Sequence, residues 1–218
     1  LPVADDAAPF EWVQGDASQT ATLERAIELA TDRFGAKPSI LVTSAARLEV
    51  GDVLSLPDEE WYRTFEVNVF GTMRAIRAVL PGMIERGGGA IVTVGSIDSV
   101  MAEQGLVSYC ASKGAVLQLT RTIAMDHARQ GIRANCVIMG VTDTPFFRRH
   151  LDTASDPVQF VKVRENRQPM GKLLQAGEVA AAIEFLASPA ASGITGAAIA
   201  VDGGITTSFD FRTGREGA

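Results

Sequence analysis

The chain has 218 residues, 46% of them hydrophobic and 21% charged, with a formal net charge of −6. That is enough for one domain with a substantial core, and the acidic balance argues against nucleic acid or an anionic membrane surface as a partner. No apolar run approaches the ~20 residues that span a bilayer, and the start, Leu1 to Asp6, lacks the basic and apolar regions of a secretory signal. The expected compartment is a reducing cytoplasm. Cys110 and Cys136 have no CxxC neighbour and sit among small and apolar residues, which reads as packing. His127 and His150 have no carboxylate or cysteine at metal-ligand spacing, so no metal site is expected.

Phe10 to Gln14 is a short apolar run ending in Gly15-Asp16, which predicts a strand and its turn. Ser18 or Thr20 is placed to cap the next element. Leu23, Ala26, Ile27 and Ala30 then recur at helical spacing up to Phe34, and Gly35 ends that helix. Ser39 to Thr43 is continuously apolar and predicts a strand buried on both faces. Pro57-Asp58-Glu59-Glu60 is a helix start, with proline and acids in the first turn. That helix is expected to run through Trp61, Phe65 and Met73 to about Leu80, with Pro81 bending it or starting another turn. Gly87-Gly88-Gly89 is a break.

Ala90 to Gly95 predicts the third strand, Tyr109 to His127 a helix, and Ile132 to Ile138 the fourth strand. Residues 141–175 carry Pro145, Pro157 and Pro169 and read as short helices in a mobile cover, because long excursions in compact domains are usually functional. Glu178 to Leu186 predicts a short helix, and Ala197 to Val201 a last strand closed by Asp202-Gly203-Gly204. The implied organisation is one domain over residues 1–205, with 141–176 covering the site and 206–218 as a polar tail. Strands alternating with helices imply an α/β fold, a doubly wound parallel sheet in three layers. Ligands bind such sheets outside the carboxyl ends of the strands, where Asp16, Thr43, Ser96 and Gly140 are expected to converge.

The chemistry concentrates between Ser96 and Lys113. Ser96 closes an apolar strand, and thirteen residues later Tyr109 begins a helix that also carries Lys113. Positions i and i+4 share a helix face, so the phenol and the ammonium point into one space. A nearby ammonium favours the phenolate and is expected to lower the tyrosine pKa, making the phenol a general acid/base for an alcohol or carbonyl oxygen. The Ser96 hydroxyl is placed to bind that same oxygen. Tyr-x-x-x-Lys alone is common on helix surfaces; the strand, the serine and the spacing sharpen it.

With Asn68 in the upstream helix, this ensemble resembles the classical short-chain dehydrogenase/reductase family. The resemblance implies a Rossmann-like fold and an oxidoreductase that uses NAD or NADP on a small alcohol or carbonyl substrate. It places Asn68, Ser96, Tyr109 and Lys113 in the catalytic group, with Asn68 kinking its helix and holding a water that leads to the lysine. Tyr109 and Lys113 also border the cofactor, Lys113 reaching the nicotinamide ribose. Asp16 matches an aspartate near the adenine, although it also reads as a helix cap. Thr43-Ser44-Ala45-Ala46 stands where the family has Asn-Asn-Ala-Gly, so only Ala45 matches. Gly140, Thr142 and Thr144 fit the family's turn at the nicotinamide carboxamide, with Met139 in place of a proline. Family members are dimers or tetramers built on the helices starting near Pro57 and Val107, where Ala111, Ala115, Ala124 and Ala128 would allow close packing.

The family's glycine-rich phosphate turn, T-G-x-x-x-G-x-G, does not occur in the chain. Its first two strands would lie between Phe10–Gln14 and Ser39–Thr43, leaving one strand without a neighbour and an apolar edge on the other. The chain is therefore expected to belong to a longer polypeptide, since dinucleotide binding would otherwise be crippled. Two other readings stay open. One is a binding or scaffold protein that keeps the fold without its cofactor. The other is elimination or epoxide chemistry on the same tyrosine, for which an arginine at Lys113 would be expected.

Overall fold

Four short apolar runs form one parallel sheet in the computed structural model, which describes residues 10–151 and 154–208. The strands are β1 (Ile40–Thr43), β2 (Gly89–Val94), β3 (Ile132–Met139) and, further along the chain, β6 (Ala198–Val201). They lie in the order β1-β2-β3-β6. Their register aligns Thr43 with Thr93 and Thr93 with Cys136. The segments leaving β1, β2 and β3 therefore emerge together along one edge, which sets up the site.

The two faces of the sheet are covered by different helices, as the alternation of side chains in a strand requires. On one face Ile91 of β2 and Ile132 and Ala134 of β3 pack with Ile76, Val79 and Met83. Those three belong to α3 (Gly71–Arg86). Ile27 of α1 (Thr20–Phe34) and Ala124 of α4 (Val107–His127) join this layer. On the other face Val92 and Val137 pack with Val179 and Leu186 of α7 (Ala176–Ala187). The result is the expected three-layer, Rossmann-like arrangement.

The helix expected from Pro57 is α2 (Asp58–Phe65) followed directly by a π-helical turn, Glu66–Phe70, and then α3. Pro81 sits inside α3 rather than ending it. Between β3 and α7 the chain forms α5 (Pro145–Leu151) and α6 (Pro157–Arg167). Short strands β4 (Thr142–Asp143) and β5 (Leu174–Gln175) pair with each other at the two ends of this excursion.

Three expectations are corrected. Phe10 to Gln14 is not a strand; among the described residues no strand lies alongside it to supply a hydrogen-bonded ladder, and Trp12 is 70% exposed. β1 is not buried on both faces: Ile40 and Val42 are exposed, because α7 packs on β2, β3 and β6 and leaves β1 uncovered. Neither Ser18 nor Thr20 caps α1, whose N-cap is Gln19 without a side-chain bond. Instead the Ser18 amide and hydroxyl both donate to Asp16 Oδ1, at 2.8 Å each, just ahead of the helix. The polar tail lies outside the described residues from position 209 onward.

Candidate active site

Ser96 follows β2 in extended conformation and opens a 3₁₀ turn, Ile97–Ser99. Its hydroxyl accepts from the Asp98 amide at 3.2 Å, and its own amide donates to Ser99 Oγ at 3.1 Å. This reciprocal capping box fixes a buried serine at the sheet edge. The chain then enters α4, whose buried stripe runs through Tyr109, Ser112, Lys113, Val116 and Thr120. Helical spacing turns Tyr109 and Lys113 inward with the apolar core residues.

The four residues of the expected catalytic group are all buried, at 6% for Ser96, 8% for Tyr109, 3% for Lys113 and 1% for Asn68. The Tyr109 phenol lies close enough to the Ser96 side chain for that hydroxyl to favour its ionised form. Lys113 Nζ lies 5.7 Å from the Tyr109 ring centre and donates to the Val94 carbonyl at 2.8 Å. Asn68 occupies the π-helical turn. Its Nδ2 donates to the Arg47 carbonyl at 2.9 Å and to Ser112 Oγ at 2.8 Å, while Oδ1 accepts from the Arg47 amide at 2.7 Å. Ser112 in turn donates to the Tyr109 carbonyl at 2.8 Å. Asn68 thus ties the loop after β1 to the helix that carries the tyrosine.

The expected lowering of the tyrosine pKa is not found. Burial pushes the Tyr109 phenol well above its usual range, and the nearby Asp98 charge pushes it further. Burial also lowers the Lys113 ammonium to about 8. The reason is that one helix face buries both groups. Each loses hydration, which favours its neutral form, and the lysine spends a hydrogen bond on a backbone carbonyl.

A cavity of about 790 Å³ opens over this group. Ser44, Ala45 and Ala46 line it from the loop after β1, and Gly140, Thr142 and Thr144 from the turn after β3. Phe146, Phe147, Arg149 and His150 of α5 and Arg164 of α6 close the far side. Ser96, Tyr109, Lys113, Ala45, Gly140, Thr142 and Thr144 therefore meet around one space. Asn68 stands behind it, and Asp16 is not among its walls. At the turn, Thr142 Oγ1 donates to the Gly140 carbonyl at 3.0 Å, and Thr144 Oγ1 accepts from the Phe147 amide at 3.2 Å.

These walls fit the nicotinamide–ribose end of a dinucleotide. The small side chains at 44–46 leave room for a flat ring and a sugar. Lys113 Nζ has three donor positions and uses one of them on Val94, and Thr144 supplies a hydroxyl at the other wall. Among the described residues no group of three histidine, cysteine or acidic side chains could hold a metal ion.

Asp98 escaped the sequence reading. It is 7% exposed, lines the same cavity, and accepts from Ser96 Oγ at 2.9 Å. Burial raises its carboxyl above the ordinary value. The available signal was an acid two residues after the serine, in a loop whose one other acid is Glu103.

Comparison with known proteins gives concordant matches. A family model described as enoyl-(acyl carrier protein) reductase matches residues 2–206. A 2-(R)-hydroxypropyl-CoM dehydrogenase of Xanthobacter autotrophicus is 36% identical over 197 residues, covering 89% of this chain and 77% of that protein. A galactitol 2-dehydrogenase (L-tagatose-forming) of Cereibacter sphaeroides is 43% identical over 170 residues, covering 77% of this chain and 65% of that one. The crystal structure of a gluconate 5-dehydrogenase from Burkholderia cenocepacia, in complex with NADP and tartrate, superposes with a TM-score of 0.80 at 32% identity. That match covers 89% of this chain and 74% of the other.

Proposed function

This chain belongs to the classical short-chain dehydrogenase/reductase family, and from that premise we propose that Tyr109 is its general acid/base, with Ser96, Lys113 and Asn68 completing the catalytic group. The protein is an NAD(P)-dependent oxidoreductase that interconverts an alcohol and a ketone or aldehyde. The observation that carries the residue assignment is that the buried Tyr109, Ser96 and Lys113 line one wall of the cavity together, Lys113 one helical turn from Tyr109.

Bound NAD or NADP supplies or accepts the hydride. The Ser96 hydroxyl and the Tyr109 phenol flank the substrate oxygen. In the reducing direction Tyr109 gives that oxygen its proton, and a phenol kept protonated by burial suits this role. In the oxidising direction Tyr109 first loses its proton, the Lys113 ammonium beside it stabilises the resulting phenolate, and that phenolate then takes the alcohol proton. Lys113 also reaches toward the ribose hydroxyls, while Ala45, Gly140, Thr142 and Thr144 hold the nicotinamide end. Asp16 stays with the adenine end, a placement that rests on the family resemblance and not on the cavity walls. Asn68 fixes the distance between the loop after β1 and α4. Residues 141–176 act as the substrate cover, supported by the contribution of α5 and α6 to the cavity wall.

No helix among the described residues is long and apolar enough to cross a membrane. Our reading further takes the protein to act in the cytoplasm as a homodimer or homotetramer. Two unpaired cysteines support the first point, and the exposed Tyr62 of α2 and Met125 of α4 support the second. Ala124, expected at the helix-packing surface, is instead 1% exposed and packed in the core of the subunit. Light scattering on the purified protein measures the assembly.

The test of the activity uses the full-length protein. Tyr109→Phe is expected to lower kcat by at least about a thousandfold, while NADH or NADPH still changes the tryptophan fluorescence as in the unaltered protein. Near-normal turnover in Tyr109→Phe would refute the assignment. A protein that binds neither cofactor would instead be a scaffold.

A further inference from the structure

We propose that Asp98 determines the substrate class by accepting a hydrogen bond from a hydroxyl on the carbon next to the reacting one, so that the enzyme acts on vicinal diols and the matching hydroxy-ketones. The inference rests on the proposed placement of the reacting oxygen between Ser96 and Tyr109. A buried carboxylate can accept about four hydrogen bonds and is costly when it accepts fewer. Among the described residues Asp98 Oδ2 accepts one, from Ser96 Oγ at 2.9 Å, and Oδ1 has only the Cys110 thiol at 3.7 Å. Among the described residues no cation forms an ion pair with it, whereas Glu103, on the same cavity, faces Arg164 at 3.7 Å and Arg167 at 3.5 Å. Asp98 is therefore an under-coordinated acceptor on the cavity wall, one hydrogen bond from the serine that would hold the reacting oxygen.

The chemistry of the missing donor follows from its surroundings. It must come from the cavity, because among the described residues no other donor reaches Oδ1. We take it to be neutral, because the cations Arg149, Arg164 and Lys113 outnumber the acids Asp98 and Glu103 on these walls and disfavour a cationic substrate. It must sit beside the reacting oxygen, because Asp98 and the reacting oxygen share Ser96. A hydroxyl on the adjacent carbon satisfies all three conditions. It also has a consequence for Ser96, which owns a single proton and gives it to Asp98 in this structure. A substrate hydroxyl on Oδ1 compensates Asp98 when the serine turns its proton toward the reacting oxygen, while a simple alcohol leaves that loss uncompensated.

The experiment compares kcat and KM for vicinal butanediol against secondary butanol, and for acetoin against butanone. It uses the full-length protein, Asp98→Asn and Asp98→Ala, with Tyr109→Phe as the reference for turnover at this site. The unaltered enzyme is expected to prefer the diol and the hydroxy-ketone by roughly 10- to 100-fold in kcat/KM, the value of one hydrogen bond to a charged acceptor. Both Asp98 variants are expected to reduce that ratio by at least about tenfold, mainly through KM of the diol. Tyr109-dependent turnover without a diol preference would overturn this inference alone, as would a ratio unchanged in both variants, an equal loss on both substrates, or a preference for the corresponding amino alcohol. Absence of any Tyr109-dependent turnover would overturn the functional reading and this inference with it.

Discussion

At the scale of single residues, the site is built from groups that are expensive to bury. Lys113 shows the cost most directly. Its amine titrates near 8 in the fold against an ordinary value of 10.5. At any pH between those values the unfolded chain binds the proton and the folded one does not. Stability therefore rises with pH through that window, and below about 8 the full penalty of the buried ammonium is present. Tyr109 acts oppositely and later. Its folded pKa lies above the ordinary value of 10.0, so above that pH the unfolded chain loses its proton first and stability is lost. Between pH 8 and 10 the Cys110 and Cys136 thiols, raised by burial, act in the same sense as Tyr109, so the lysine is isolated by comparison with a variant at Lys113. Across that interval the unaltered protein is expected to gain roughly 2 kcal/mol relative to Lys113→Met, measured by urea unfolding at several pH values. Parallel pH profiles for the two proteins would show that Lys113 does not carry its charge into the core. Tyr109 and Lys113 were legible in the sequence because spacing on a helix fixes a shared face. The direction of the tyrosine shift was not, because it depends on burial and on Asp98, which only the 3₁₀ turn after Ser96 brings alongside.

At the scale of elements, the register of the sheet depends on two helix ends meeting. Gly87 closes α3 with φ 80°, and Gly131, after α4, has φ 77°. A Cβ on Gly131 would lie 2.3 Å from the Gly87 carbonyl oxygen, and the Gly131 carbonyl accepts from the Gly89 amide at 3.2 Å. The contact sits immediately ahead of the first pair of β2 and β3, Gly89 with Ile132. Gly131→Ala must therefore adopt a left-handed conformation, costing about 1–2 kcal/mol, and also push two backbones apart. Gly35→Ala at the end of α1 is the matched control: its φ is 71° and nothing lies within 4 Å of the added Cβ. Gly35→Ala is expected to lose about 1–2 kcal/mol and Gly131→Ala at least about 1 kcal/mol more, read by thermal unfolding. Equal losses would mean that the two chain ends yield freely. The triple glycine at 87–89 showed in the sequence that a helix stops there, and the apolar runs at 90–94 and 132–138 showed two strands. Local sequence does not state which glycine touches which backbone, because that contact joins residues far apart in the chain. The family resemblance implied a kink at Asn68, but its π-helical form did not show in the local sequence for the same reason: it inserts no helix breaker, and its side chain finds its partners in Arg47 and Ser112.

At the scale of the whole molecule, one side of the sheet is finished and the other is not. β2 and β3 are paired on both edges and covered on both faces, and their side chains are largely buried. Among the described strands β1 hydrogen-bonds only to β2, and its Ile40 and Val42 are 50% and 42% exposed. Trp12, Val53 and Leu54 add exposed apolar surface elsewhere on the molecule. Continuous apolar character led the sequence reading to bury β1 on both faces. That rule holds for a strand inside a doubly wound sheet, and β1 lies at the end of the row with α7 packed over its neighbours. An edge strand with free backbone groups and an apolar face is a template for self-association. Val42 lies in the middle of that edge, in register with Val92. Replacing it by lysine leaves its backbone pairing intact, places a charge where a second sheet would dock, and buries nothing new. Val42→Lys in the 218-residue chain is therefore expected to change stability by no more than about 0.5 kcal/mol. The same substitution should suppress the growth of scattering mass with protein concentration. If the mass grows as before while stability is unchanged, self-association runs through another surface, and the exposed tyrosine and methionine on α2 and α4 become the surfaces to alter next.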